Sequence, residues 1–169
     1  MPVRPGSPSA QGAKTARWAT TMTRWAIRFA PSRKRQGTQA AKRWQFVGFA
    51  GPNGSESRGI VDLLAIRRVH IRTDEKFRVG DLFDIVLIQI KGGTAPWPTF
   101  DDLKRLRAVQ RYYHARAVVL ASWQKGTEPK FYVLHRLLED RRIAWSEASA
   151  ATIFGRSRRR VTTATRRSR

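Results

Sequence analysis

The chain has 169 residues, with 34 Lys and Arg against 12 Asp and Glu, a formal net charge of +22. An apolar fraction of 41% is enough for a core, which excludes a wholly disordered chain, and the absence of cysteine excludes disulfide frameworks, thiolate-ligated zinc and thiol catalysis. Such a charge argues against a carrier of neutral small molecules and for a polyanionic partner, nucleic acid or an anionic membrane surface.

The charge is concentrated at the ends. Residues 1–43 hold ten Lys and Arg and no acid, and residues 155–169 hold seven Arg and no acid. The stretch 44–154 carries all 12 acids and a net charge of only +5. This predicts a basic, flexible N-terminal arm over 1–43, a globular domain over 44–154 and an Arg-rich tail over 155–169 that includes Arg158, Arg159 and Arg160. Within the first arm, Trp18, Met22, Trp25 and Phe29 fall on one helical face beside Arg17, Arg24 and Arg28. That pattern suits an organelle transit peptide, a membrane-surface helix or a DNA contact. The favoured location is the cytoplasm, in association with the nucleoid. No apolar run approaches the roughly 20 residues of a transmembrane helix.

The segment 38–47 reads as a short helix or the lead into a strand. Gly51 to Ser55 is a turn. Gly59 to Ile66 is an apolar, branched run broken by Asp62, a strand buried on much of its surface. Residues 67–81 read as a polar connection. Phe83 to Lys91 is a second strong strand, ended by Gly92 and Gly93. A Pro-rich loop carrying Trp97 follows. Thr99 then opens a helix, with Asp101 and Asp102 in its first turn. Leu103, Leu106, Val109 and Tyr113 give that helix an apolar face, and Lys104, Arg107 and Arg111 a basic one. Residues 117–123 and 130–135 read as strands, and 137–154 as partly helical. The order strand, strand, helix, strand, strand, helix defines an α/β fold, a mixed central sheet flanked by helices.

Polar residues inside the two best strands demand a reason, because burying an unpaired charge costs several kcal/mol or shifts its pKa. Gln89 and Lys91 are two apart and share a face, whereas Asp84 has the opposite parity. If the strands pair, Asp62 can sit opposite Gln89. A carboxylate, an amide oxygen and an ammonium then meet at one end of the sheet. Oxygen donors of this kind suit Mg²⁺, and a neighbouring lysine suits phosphodiester hydrolysis. Gly92 and Gly93 offer a close approach to a phosphate backbone. The competing structural reading makes Asp62 an ion-pair partner of Arg58 or Lys91. His70, His114 and His135 are not at metal-ligand spacing.

The spacing Asp62 … Gln89-Ile90-Lys91 resembles the PD-(D/E)XK nuclease superfamily. Gly59-Ile60-Val61-Asp62-Leu63-Leu64-Ala65 is similar to the corresponding strand of archaeal Holliday-junction resolvases, and Gln-x-Lys to the variant in Mrr-type restriction endonucleases. The resemblance covers roughly residues 45–136. It implies a restriction-endonuclease-like core and a DNA endonuclease dependent on Mg²⁺ or Mn²⁺. By resemblance, Asp62, Gln89 and the Ile90 carbonyl hold the metal, with Glu56 as the candidate additional ligand, and Lys91 acts in catalysis. Lys104, Arg107, Arg111, Gly92, Gly93, Trp97 and the tail arginines are the expected nucleic-acid contacts, to DNA or alternatively RNA. A homodimer is implied by resemblance only. Gln89 removes a negative charge from the metal site, which motivates a second reading, a nucleic-acid-binding protein that kept the fold and lost the chemistry.

Overall fold

The computed structural model describes residues 10–30, 44–49, 59–69, 76–135 and 145–155. Glu56, Arg58, His70, the turn at 51–55, the start of the predicted last helix and Arg158, Arg159 and Arg160 lie outside the described residues.

Among the described residues six strands form one mixed sheet: β1 (Gln45–Gly48), β2 (Leu63–Arg68), β3 (Phe83–Gly92), β4 (Ala117–Trp123), β5 (Lys130–Leu134) and β6 (Trp145–Glu147). Their spatial order is their chain order. All neighbours are antiparallel except β3 and β4, which run parallel with Gln89 opposite Leu120. A parallel pair needs a crossover. The helix α2 (Phe100–Tyr112) supplies it.

The pleat divides the strand residues between two cores. On one face Leu63, Ala65, Val86, Ile88, Val119 and Ala121 pack with Ile27 of α1 (Ala10–Arg28) and with Ile153 and Phe154 of α3 (Ala150–Phe154). On the other, Leu87 and Val118 pack with Leu103 and Leu106 of α2. The result is an α/β fold with a mixed central sheet, as the strand and helix order predicts, and among the described residues three helices lie on it.

Two predicted segments are corrected. The N-terminal region is not a free arm over residues 10–28: α1 packs along β3 and β4 and touches α3. Its buried stripe is Ala19, Thr23 and Ile27, spaced i, i+4, i+8, whereas Trp18, Trp25 and Phe29 are left exposed. Small side chains let this helix lie close to the sheet. The second correction concerns the chain end. Residues 145–147, inside the segment read as partly helical, form the edge strand β6, because Trp145 and Ser146 pair with Leu134 and Val133. Among the described residues of that segment the helical part is α3, capped by the Ser149 hydroxyl, which accepts from the Thr152 N–H.

A cluster of arginines fastens α3 to the sheet. Arg67 donates from Nε and Nη2 to Asp84 Oδ2 at 3.0 and 2.9 Å, and from Nη1 to the Phe154 and Gly155 carbonyls at 3.1 and 2.9 Å. Arg116 pairs with the same carboxylate at 3.5 Å and donates to the Ile153 carbonyl. Trp44 lies under both guanidinium groups and donates from Nε1 to the Phe154 carbonyl at 2.8 Å. Asp84 has the parity opposite to Gln89, as the alternation requires, and serves this clamp on β3.

Candidate functional site

The site lies at the C-terminal end of β3, where β2 begins and α2 starts. The β2–β3 register ends at Leu63 opposite Ile88, and Asp62 too is bonded to Ile88 rather than stepped on to Gln89. Asp62 is not inside β2; it immediately precedes it. Its main chain still belongs to the sheet: its N–H donates to the Ile88 carbonyl at 3.0 Å, and its carbonyl accepts from Phe49 at 3.1 Å. The side chain does something a strand residue normally does not. Oδ2 accepts the Ile90 N–H at 2.6 Å, the role that continued pairing would give to a main-chain carbonyl of β2. A charge-assisted bond of this length is among the strong ones. The β2–β3 ladder therefore ends on a carboxylate, held against the backbone between Gln89 and Lys91.

Gln89 shares the parity of Leu87 and faces the α2 side. It is 8% exposed, and its Oε1 is buried without a hydrogen-bond partner. An unsatisfied buried acceptor costs about 1–3 kcal/mol, and such atoms are rare enough to need an explanation. Lys91, two residues on, is half-buried. It reaches the start of α2 electrostatically, where it helps hold the Asp102 carboxyl below the usual range.

The start of α2 is built by a capping box. Thr99 Oγ1 accepts from the Asp102 N–H at 3.2 Å, and Asp102 Oδ2 accepts from the Thr99 N–H at 3.0 Å. The Thr99 N–H and the Thr99 hydroxyl, at 2.8 Å, both donate to Asp102 Oδ2 and are the main reason the carboxyl is acidic; desolvation opposes them, and Arg105 and Lys91 add to the lowering. Asp101 and Asp102 are therefore helix-start charges, as their position predicts. Thr99→Ala is expected to cost about 1 kcal/mol in urea unfolding. The Asp102 pKa is depressed, so its contribution is present above the unfolded value of 3.8 and is lost as pH falls through the lower folded value. The difference between wild type and variant in urea should therefore shrink below about pH 3.8, the range in which this carboxyl protonates.

The expected nucleic-acid contacts separate in the structure. Lys104 is exposed, pairs with Asp101 at 3.3 Å and lies over the Phe100 ring. Arg111 is exposed. Arg107 is not presented as a phosphate contact. Its Nη2 donates to the Leu134 and His135 carbonyls and its Nη1 to Gln110 Oε1, so it closes the end of β5. Burial, and secondarily Arg111, lowers its pKa. Trp97 packs edge-on against Tyr132 and Trp145 while staying half-exposed. Gly92 is also corrected. A Cβ there would stand 3.1 Å from both the Ala19 Cβ and the Thr15 Cγ2, so the missing side chain makes room for α1. Gly93 is exposed, turns the chain at φ 62° and donates to the Trp123 carbonyl.

Among the described residues no group of three or more His, Cys, Asp or Glu could hold a metal ion. The oxygen donors at the site are one carboxylate, one amide oxygen and main-chain carbonyls. This is a hard-donor set of the kind Mg²⁺ prefers, and Gln89 Oε1 is an acceptor left without a donor. Comparisons with protein families, with curated proteins and with solved structures find no match to this chain.

Proposed function

We propose that the chain is a metal-dependent DNA endonuclease that hydrolyses phosphodiester bonds, built on a restriction-endonuclease-like core. The observation that carries this reading is the buried, unpartnered Gln89 Oε1, two residues before Lys91 on the strand whose Ile90 N–H binds the Asp62 carboxylate. The Gln89 amide oxygen and the carboxylate at the same strand end want a cation; the lysine and the positive end of α2 want an anion. A phosphodiester with a divalent ion satisfies both.

Asp62, Gln89 and the Ile90 carbonyl would hold the ion, with Mg²⁺ or Mn²⁺ as the fitting choice. When bound, such an ion polarises a phosphoryl oxygen and makes a bound water more acidic. The chain's own residues do the rest. Lys91 places an ammonium where negative charge grows on the phosphate. Lys104 and Arg111 extend the positive surface along α2 and hold the backbone of the nucleic acid without reading its sequence. The test is to incubate the purified chain with supercoiled plasmid, branched DNA and methylated DNA in Mg²⁺ or Mn²⁺. Metal-dependent nicking or cutting supports the reading; intact DNA on every substrate overturns it.

One observation favours the second reading, a nucleic-acid-binding protein without catalysis. The Asp62 carboxylate is engaged by the Ile90 N–H, and among the described residues no group of three or more metal-ligating side chains surrounds it. On that reading, binding persists without metal and falls steeply with salt.

Gln89→Glu discriminates between the two. Restoring a second carboxylate is expected to lower the Mg²⁺ concentration for half-maximal cleavage several-fold. It is also expected to enlarge the rise in Tm on adding Mg²⁺, since a ligand that binds only the folded chain stabilises it. Without metal the same variant is less stable than wild type, because a buried carboxylate resists ionisation. Titration of cleavage and Tm against Mg²⁺ reads both.

A further inference from the structure

The side of α1 turned away from the sheet carries two adjacent stripes. Counting about 100° per residue, Trp18, Met22, Trp25 and Phe29 cluster on one line, and Arg17, Arg24 and Arg28 on another roughly 110° round the helix. Trp18, Trp25 and Phe29 are 51%, 53% and 65% exposed. Trp25 and Phe29 lie against each other with ring centroids 4.9 Å apart. Arg24 leans onto β1 at Gly48, and Arg28 lies over the Phe46 ring. The helix contains no acidic residue. Nothing about folding requires these rings outside, because the helix already buries Ala19, Thr23 and Ile27.

The position of this ridge matters. Thr15 and Ala19 touch Gly92, at the end of the strand that carries Gln89 and Lys91. The N-terminal half of α1 therefore adjoins the end of β3 from the opposite face. A chain leaving the site over that end meets Lys14, Arg17 and Trp18 next.

We propose that this face of α1 is a platform for single-stranded nucleic acid, with bases stacked on Trp18, Trp25 and Phe29 and phosphates held along Arg17 and Arg28. This deepens the nuclease reading and rests on it for one point, the substrate: a junction where a duplex at α2 continues as an unpaired strand over α1. The two stripes fit a single strand because its bases lie along one side and its phosphates along the other. A bilayer fits less well. It wants a broad apolar face with cations round it, and here the aromatic line is narrow, with arginines on one side and the protein on the other.

The test uses the full chain carrying Asp62→Asn, in EDTA, with fluorescein-labelled dT20, a 20-base-pair duplex, and vesicles of phosphatidylglycerol and phosphatidylcholine. Stacking contributes about 1–3 kcal/mol per base. The triple variant Trp18→Ala, Trp25→Ala, Phe29→Ala is therefore expected to lose dT20 affinity about tenfold or more, while duplex affinity changes by less than about twofold. As a gentler probe, dT20 should quench tryptophan emission of the unsubstituted helix, and Trp18→Phe with Trp25→Phe should keep the binding and lose most of the quenching. Unchanged dT20 affinity in the triple variant, or unchanged quenching in the double, overturns the platform. So does ring-dependent binding to vesicles with ring-independent binding to dT20. The failures are distinguishable. Ring-dependent dT20 binding in a chain that never cuts DNA keeps the platform and removes the nuclease, and metal-dependent cutting with neutral rings does the reverse.

Discussion

Lys91→Ala is expected to reduce Mg²⁺-dependent cleavage by roughly 10²–10³-fold, the usual effect of removing one group that stabilises developing charge. Duplex binding should fall only slightly, since one cation among many is lost. Asp62 needs two substitutions to interpret. Its carboxylate accepts the Ile90 N–H, so Asp62→Ala removes a charge and orphans a backbone donor together. The orphan alone costs about 1–3 kcal/mol of stability. Asp62→Asn keeps an acceptor for that N–H and removes only the charge. It is expected to stay near wild-type Tm and lose cleavage as deeply as Lys91→Ala. Plasmid nicking assays with matched thermal melts measure both quantities. If Asp62→Asn cuts normally, the carboxylate is a backbone cap and nothing more.

The largest stability effect is expected at Asp84. This carboxylate receives Arg67 and Arg116, and its own side chain is 19% exposed. Truncation leaves two guanidinium groups facing each other with no acceptor between them. Removing one partner of a buried pair costs about 3–5 kcal/mol, and partial exposure reduces that to about 2–4 kcal/mol for Asp84→Ala. The corresponding fall in Tm is about 5–15 °C at this chain size. The loss also loosens α3, whose last carbonyls those arginines hold. Guanidinium chloride and thermal unfolding check the first claim. The second is checked by faster amide exchange at Gly155, whose N–H donates to the Ala151 carbonyl. Arg67→Met tests the arrangement from the other side, and the double variant with Asp84→Ala should lose less than the sum of the two single losses.

Some of this was legible in the sequence and some was not, for reasons that can be named. β3 and β4 announce themselves as branched apolar runs of seven to ten residues, and α2 by an N-cap Thr99 followed by Asp102. The expected opposition of Asp62 to Gln89 is not what the pairing gives: the register stops at Leu63 with Ile88, and Asp62 meets β3 through the Ile88 carbonyl and the Ile90 N–H. The helix α1 misleads because its conspicuous residues are aromatic while its buried ones are Ala19, Thr23 and Ile27. Of these only Ile27 is strongly apolar, so the stripe carries a weak hydrophobic signal. Its value lies in close approach, and the matching clue is Gly92, some 70 residues away. The short edge strands β1 and β6 have three or four residues each and take their state from a neighbour rather than from their own pattern. Arg107 looks like a solvated cation in the helix periodicity. Only the end of β5 shows that it is a structural donor.

The sheet has a consequence for how the chain reaches this state. Each strand lies beside its neighbour in sequence, from β1 through β6. Pairing can therefore propagate step by step with short loop closures, the arrangement associated with rapid folding. α1 breaks that pattern. It precedes the strands along the chain, yet it docks on β3 and β4, which are made well after it. During synthesis the helix must wait with its partner surface absent. Its cationic lines are then its protection, because like-charged segments repel one another while apolar faces are still uncovered.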